Sequence, residues 1–90
     1  MKVVLNKCYG GFGLSDEALK ILGAEFDWEV DRADPALVSL MEEKGSDFCS
    51  DRSAKLEIVD VPDGITDSMM DDYDGIETII YVLDGKLYRI

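Results

Sequence analysis

The sequence contains no histidine, only two cysteines and two prolines, and no hydrophobic run that approaches the length of a transmembrane helix. Without histidine, the chain lacks the most common general base, the usual zinc ligand and every Ser-His or Cys-His nucleophile pair. We therefore expect no enzyme, no cofactor and no metal. Cys8 and Cys49 lie far apart, and no apolar leader is evident, so we expect free thiols and a cytoplasmic location. A disulfide is the less favoured alternative.

Basic residues are also scarce. Nine Lys and Arg stand against twenty Asp and Glu, which gives a formal net charge of −11, and no base lies between Lys55 and Lys86. Such a chain repels a phosphate backbone and an anionic bilayer, so we expect neither direct nucleic-acid binding nor membrane binding. The excess acid has two interpretations. It serves solubility alone, or it forms an acidic face that docks on the basic surface of a partner protein.

The C-terminal part of the chain concentrates this imbalance, since residues 56–90 hold nine acids and two bases. The candidate partner-binding residues are Asp63, Asp67, Asp71, Asp72 and Asp74. When Gly75 is aligned with the invariant glycine of an EF-hand loop, Met70 and Tyr81 fall where both end ligands should lie, so this is no calcium loop. A weak surface cation site and a plain solvated turn remain as alternatives to partner binding.

The chain is long enough for one globular domain over residues 1–90, and 47% of its residues are hydrophobic. Periodicity and capping signals predict helices and strands in an α+β order. We predict strands at 3–5, 56–61, 76–83 and 86–90, helices at 16–22 and 35–44, a half-exposed strand or extended segment at 24–33, a polar loop at 46–53, and an undecided conformation at 65–73. The predicted fold is a small mixed or antiparallel sheet with two helices packed on one face and a C-terminal β-hairpin, turned by Asp84-Gly85.

A glycine-rich loop follows the first strand and leads into the first helix. Its candidate ligand-binding residues are Lys7, Cys8, Gly10, Gly11, Gly13 and Ser15. A loop of this kind can hold an anion with main-chain N–H groups. However, the glycine spacing fits neither the P-loop nor the dinucleotide fingerprint, and Asp16 and Glu17 place negative charge at the helix start. The interpretation that we favour is a tight strand-to-helix corner in which Tyr9 and Phe12 pack into the core.

Four segments resemble a family of small proteins encoded by tailed phages and prophages, in the same order over most of the chain. They are KCYGGFGLS at 7–15, DPALV at 34–38, AKLEIVDVPD at 54–63 and YDGIE at 73–77. The resemblance implies a setting, the cytoplasm of an infected host cell, and it implies no biochemical activity. It marks the glycine loop as a family feature without deciding between folding and binding.

Together these observations favour a non-enzymatic accessory protein that contacts a basic host or phage protein through an acidic surface. A small anionic-ligand binder that uses the glycine loop is the alternative. An enzyme with Cys8 as nucleophile is a third and weaker hypothesis, because a thiol near a lysine and a helix start can be activated. A homodimer through the edge of the C-terminal strand is a further expectation that the sequence does not decide.

Overall fold

The computed structural model describes all residues from Met1 to Ile90. Its strands and helices, in chain order, are β1 (Lys2–Asn6), α1 (Asp16–Leu22), a 3-10 helix (Asp27–Glu29), α2 (Pro35–Lys44), α3 (Ser46–Cys49), β2 (Leu56–Asp60), β3 (Asp67–Tyr73), β4 (Ile76–Leu83) and β5 (Lys86–Arg89). None of the helices combines the length and the apolarity that crossing a bilayer would require.

The two-stranded antiparallel sheet of β1 and β2 lies at the centre of the molecule. Because side chains alternate along a strand, each face of this sheet is apolar and each packs on a different layer. Val4 and Leu56 belong to the core cluster shared with the helices. Val3 and Leu5 form a second cluster with Ile79 of β4. The fold therefore has three layers, with the helices on one side of β1–β2 and the second sheet on the other.

The second sheet is antiparallel, in the order β3-β4-β5, and both of its connections are two-residue hairpin turns. Asp74 and Asp84 have φ of 51°, and each is followed by a glycine with positive φ. Two successive residues with positive φ define the type I′ turn, which Asp-Gly favours and which matches the twist of the flanking strands.

The main helices begin and end at the residues that the sequence indicates. Ser15 caps α1 by accepting from the Ala18 N–H at 3.1 Å, and Gly23 ends it in the left-handed conformation. Asp34 caps α2 by accepting from the Ala36 N–H at 2.8 Å, with Pro35 in the first turn. α2 and α3 pack on the β1–β2 sheet, and α1 packs on both of these helices.

The structure confirms the α+β class, the antiparallel pairing and the C-terminal hairpin. It corrects three details. The strands form two sheets instead of one, residues 24–33 contain a 3-10 helix instead of a strand or extended segment, and residues 46–49 of the predicted loop are helical. The segment 65–73, whose conformation the sequence leaves undecided, contains strand β3. Ser46–Cys49 turns helical because Gly45 ends α2 and Cys49 is carried into the helical core.

Candidate functional site

The two reactive side chains of the glycine loop are both engaged within the protein. Lys7 Nζ donates to the main-chain oxygen of Glu77 at 2.7 Å, and the Lys7 N–H donates to the Lys55 oxygen at 2.8 Å. Cys8 Sγ donates to the Ser53 oxygen at 3.2 Å. Lys7 therefore connects the end of β1 to β4, and both groups already donate to main-chain oxygens of the protein.

The glycines of the loop allow close approach to two neighbouring segments. The Gly10 N–H donates to the Asp74 oxygen at 3.2 Å, which docks the loop on the β3–β4 turn. A Cβ added to Gly75 in that turn would lie 2.8 Å from the Gly10 nitrogen and closer still to the Gly11 nitrogen. A Cβ on Gly13 would overlap the carboxylate of Asp51. These contacts explain why glycine stands at position 13 of the loop and at position 75 of the turn.

Ser15 forms hydrogen bonds with the start of α1 and with α3. Besides capping α1, its hydroxyl donates to the Phe48 oxygen at 2.6 Å. A broad, open depression of about 590 Å³ lies beside it. Its charged lining consists of Asp16, Glu17, Asp47, Asp51 and Arg52. Four carboxylates against one guanidinium make this depression a poor site for an anion.

The aromatic residues of the first third of the chain are less buried than predicted. Tyr9, expected in the core, is 67% exposed. Phe12 is partly buried, and the guanidinium of Arg32 lies 3.5 Å above its ring centre. Phe26 and Trp28 stack on each other at 4.3 Å, and Trp28 stays 76% exposed. The rings of Phe26 and Trp28 thus stack on each other outside the core.

A buried polar network that sequence reasoning missed connects the two sheets. Glu77 is 3% exposed, and its Oε1 accepts from the Asn6 N–H at 2.8 Å and from Arg32 Nη1. The Asn6 side chain in turn donates to the Gly75 oxygen at 2.6 Å and accepts from the Lys55 N–H at 2.8 Å. One signal was available, because Glu77 shares the period-two face of the apolar Ile79 on β4.

The five candidate aspartates do not form one cluster. Asp67 and Asp71 share one face of β3, whereas Asp72 points to the opposite face and accepts from the Gly75 N–H at 2.8 Å. Asp74 is the first residue of the β3–β4 turn, and Asp63 lies 3.7 Å from the N-terminal ammonium. β3 and its turn therefore bring four of the five onto one element, with Asp63 apart.

β3 is an edge strand, because β4 is its only neighbour in the sheet. Next to this edge lies a cleft of about 230 Å³, between β3 and residues 31–33. Its apolar lining consists of Met1, Val3, Ala33, Met69, Met70 and Ile79. Asp31, Arg32 and Ser68 add the polar part of the wall. We call β3 together with this cleft the β3 edge site.

Cys8 and Cys49 are not joined in a disulfide. Both thiols are free; Cys49 is buried, and burial raises the pKa of its thiol. No three side chains of the metal-binding types converge in a geometry that could hold an ion.

Comparison of the chain with protein-family models, curated proteins and solved structures finds no match. The resemblance to phage-encoded proteins therefore stays a prediction from the sequence.

Proposed function

We propose that this chain is a non-enzymatic protein-interaction module that binds a basic partner protein through the β3 edge site. The observation that carries the proposal is an exposed edge strand with Asp67, Asp71 and Asp72 beside an apolar cleft. From the sequence resemblance, we take the setting to be the cytoplasm of an infected cell and the partner to be a host or phage protein.

An apolar centre with a charged rim is the usual composition of a protein–protein contact. In the β3 edge site, Met70 and Ile79 line the apolar centre and the aspartates of β3 form the rim. Around this site, the net charge of −11 creates a field that attracts a basic surface and speeds its association. Because this attraction is screened by salt, we expect binding to weaken as the ionic strength rises.

The alternative function, anion binding by the glycine loop, has less support. Lys7 Nζ already donates to a main-chain oxygen, the Gly10 N–H is used by the β3–β4 turn, and the nearest depression is lined with carboxylates. An anion would have to compete with these contacts and would lie near the carboxylates of that depression.

The proposal is tested by comparing two charge-matched variants in quantitative pull-downs from host lysate. The test variant carries Asp67→Asn, Asp71→Asn and Asp72→Asn, which remove three charges and keep the side-chain shapes. The control removes the same charge from the exposed helical layer with Glu17→Gln, Glu43→Gln and Asp47→Asn.

We expect the wild type and the control to retain the same partner and the test variant to lose it. The wild-type capture should also fall as salt rises from 50 to 500 mM, a range over which the screening length shortens from about 14 to 4 Å. A test variant that captures the partner as well as the control does would refute the proposed surface.

A further inference from the structure

The main chain of β3 offers unpaired hydrogen-bonding groups at its free edge. In the antiparallel register Met70 lies opposite Ile79, and the Ile79 N–H and oxygen are both bonded to Ile90, on the far side of β4, at 2.8 and 2.9 Å. In an antiparallel pair, the main-chain N–H and C=O groups of two opposed residues either point towards each other or point away from each other. The Met70 N–H and C=O therefore point away from β4, towards the open edge, and those of Asp72 do likewise.

The side chains next to this edge would sort an incoming strand by residue type. Met70 and Ile79 line the cleft on one face of β3, and Val3 and Ala33 close it from the other side. On the opposite face, the exposed side chain of Asp67 lies beside the edge. An extended segment paired with β3 would place alternate side chains in the apolar cleft and the intervening ones beside the acid.

The charge of the site decides which occupant fits. Arg32, the cation of the cleft wall, is already paired with Glu77, and Arg89 is paired with Asp71 at 2.9 Å. A second copy added through its own β3 would bring the Asp67 and Asp72 carboxylates of the two copies close together, where they would repel each other. A segment that alternates lysine or arginine with apolar residues would satisfy both faces.

We propose that β3 binds its partner by strand addition, accepting an extended segment of alternating basic and apolar residues into the β3 edge site. The inference rests on the proposed function and specifies how the partner is recognised. Main-chain hydrogen bonds would supply affinity, and the cleft and the aspartates would select the sequence, as in other cases of β-augmentation.

The test uses a blocked, fluorescently labelled peptide, Lys-Val-Lys-Val-Lys-Val-Lys, and three modified forms. One is N-methylated at every valine, one at the three lysines that follow a valine, and one has the same residues in block order, Lys-Lys-Lys-Lys-Val-Val-Val. Binding is measured by fluorescence anisotropy. N-methylation removes the amide donor and adds bulk, so it blocks strand addition only where that amide faces the edge.

We expect one methylated form to bind at least tenfold more weakly than the parent, and the other to stay within about twofold. Loss with valine methylation indicates antiparallel addition, loss with lysine methylation indicates parallel addition, and both outcomes support the inference. Equal loss with both forms, or equal binding of the block peptide, would overturn it. The block-peptide result would leave the proposed function standing, because it would show recognition by charge alone.

Two protein variants locate the site. Met70→Lys places a charge in the cleft and should weaken binding of the parent peptide at least tenfold. Leu87→Lys adds the same charge at the exposed opposite edge, on β5, and should change binding less than threefold. Equal effects would overturn the assignment to β3.

Amide exchange gives a readout that does not depend on a variant's folding. At saturating peptide, the Met70 N–H should gain protection while the Leu87 N–H stays unchanged. Protection of Leu87 instead of Met70 would overturn the inference. The inference would also be overturned if sedimentation showed that the free protein is a dimer and that the peptide dissociates it into monomers.

Discussion

Glu77 offers the sharpest test of how the two sheets are held together. Its buried carboxylate accepts from the Asn6 N–H and from Arg32 Nη1, and Arg32 also lies over the Phe12 ring. Glu77→Ala would leave the buried Asn6 N–H without its acceptor and the guanidinium of Arg32, which is 25% exposed, without its anion. Removing one partner of a buried ion pair costs about 3–5 kcal/mol. This is a large share of the roughly 5–15 kcal/mol that stabilises a small domain.

The chain contains a matched control in the exposed pair of Asp71 and Arg89, whose side chains are 48% and 55% exposed. Asp71→Ala should cost less than about 1 kcal/mol, because an exposed pair is solvated and screened. Glu77→Gln keeps the shape and one acceptor while losing the charge, so its cost should fall between the two. It also remains measurable if Glu77→Ala does not fold.

The assay is urea unfolding followed by far-UV circular dichroism, since the single tryptophan, Trp28, is exposed in the folded state and would report poorly. With a urea m value near 1 kcal/mol/M, Glu77→Ala should lower the midpoint by about 3 M, and Asp71→Ala by less than about 1 M. Equal midpoints for Glu77→Ala and Asp71→Ala, at unchanged m value, would refute the view that this network joins the sheets.

Two further predictions concern backbone contact and thiol burial. Gly75→Ala should destabilise the protein by about 3 kcal/mol or more, because the added Cβ would press on the Gly11 nitrogen. Gly85→Ala has a similar positive φ but open space around the added Cβ, so it should cost about 1–2 kcal/mol. Thermal unfolding of the two variants tests this order. Iodoacetamide at pH 8 should alkylate Cys8 well before Cys49 in the folded protein, as read by mass spectrometry of the peptides. Burial raises the pKa of Cys49 in the folded state above its unfolded value. The contribution of the Cys49 thiol to stability should therefore be full below about pH 8.5 and decline as pH rises through the folded pKa. The difference in unfolding free energy between wild type and Cys49→Ala, followed against pH, measures this decline.

The helix caps and the hairpin turn could be predicted from the sequence, because each depends on residues only a few positions apart. Ser15 and Asp34 cap helices because their side chains reach amides two or three residues ahead, and Asp84-Gly85 turns the hairpin through its own φ angles. Such signals involve no distant partner, so reading along the chain finds them.

The segment 24–33 shows where periodicity fails. The alternation of Phe26, Trp28 and Val30 predicted a strand or an extended segment with one side in the core, yet only Val30 is buried. Glu29 Oε1 accepts from the Glu25 and Phe26 N–H groups at 3.1 and 2.8 Å, and this capping stabilises a 3-10 turn instead. The two aromatic rings then find their partner in each other. Local capping and a local stack thus replaced the sheet contact that the pattern suggested.

The candidate site was predicted by residue type and missed by arrangement. A run of aspartates at 67–74 is visible in the sequence, but the cleft beside it depends on Ala33 and Val3, which reach β3 only once the β1–β2 sheet has packed on β4. The partners of Lys7 and Cys8 are likewise 45 to 70 positions away. Such long-range pairings carry no local signal, so the sequence favoured a structural corner without showing which residues the loop would contact.

The aspartates of β3 have a physical role even before any partner binds. An open strand edge beside an apolar cleft is a template for pairing with other chains, and natural proteins block such edges with charge. Asp67 and Asp72 do this here without closing the cleft or removing main-chain donors, as a proline or a bulge would. Under the proposed function, this charge would disfavour pairing with a second copy and would leave the edge open to a strand of opposite charge. The acidity that a solubility argument would treat as general would then, at this one edge, specify the partner.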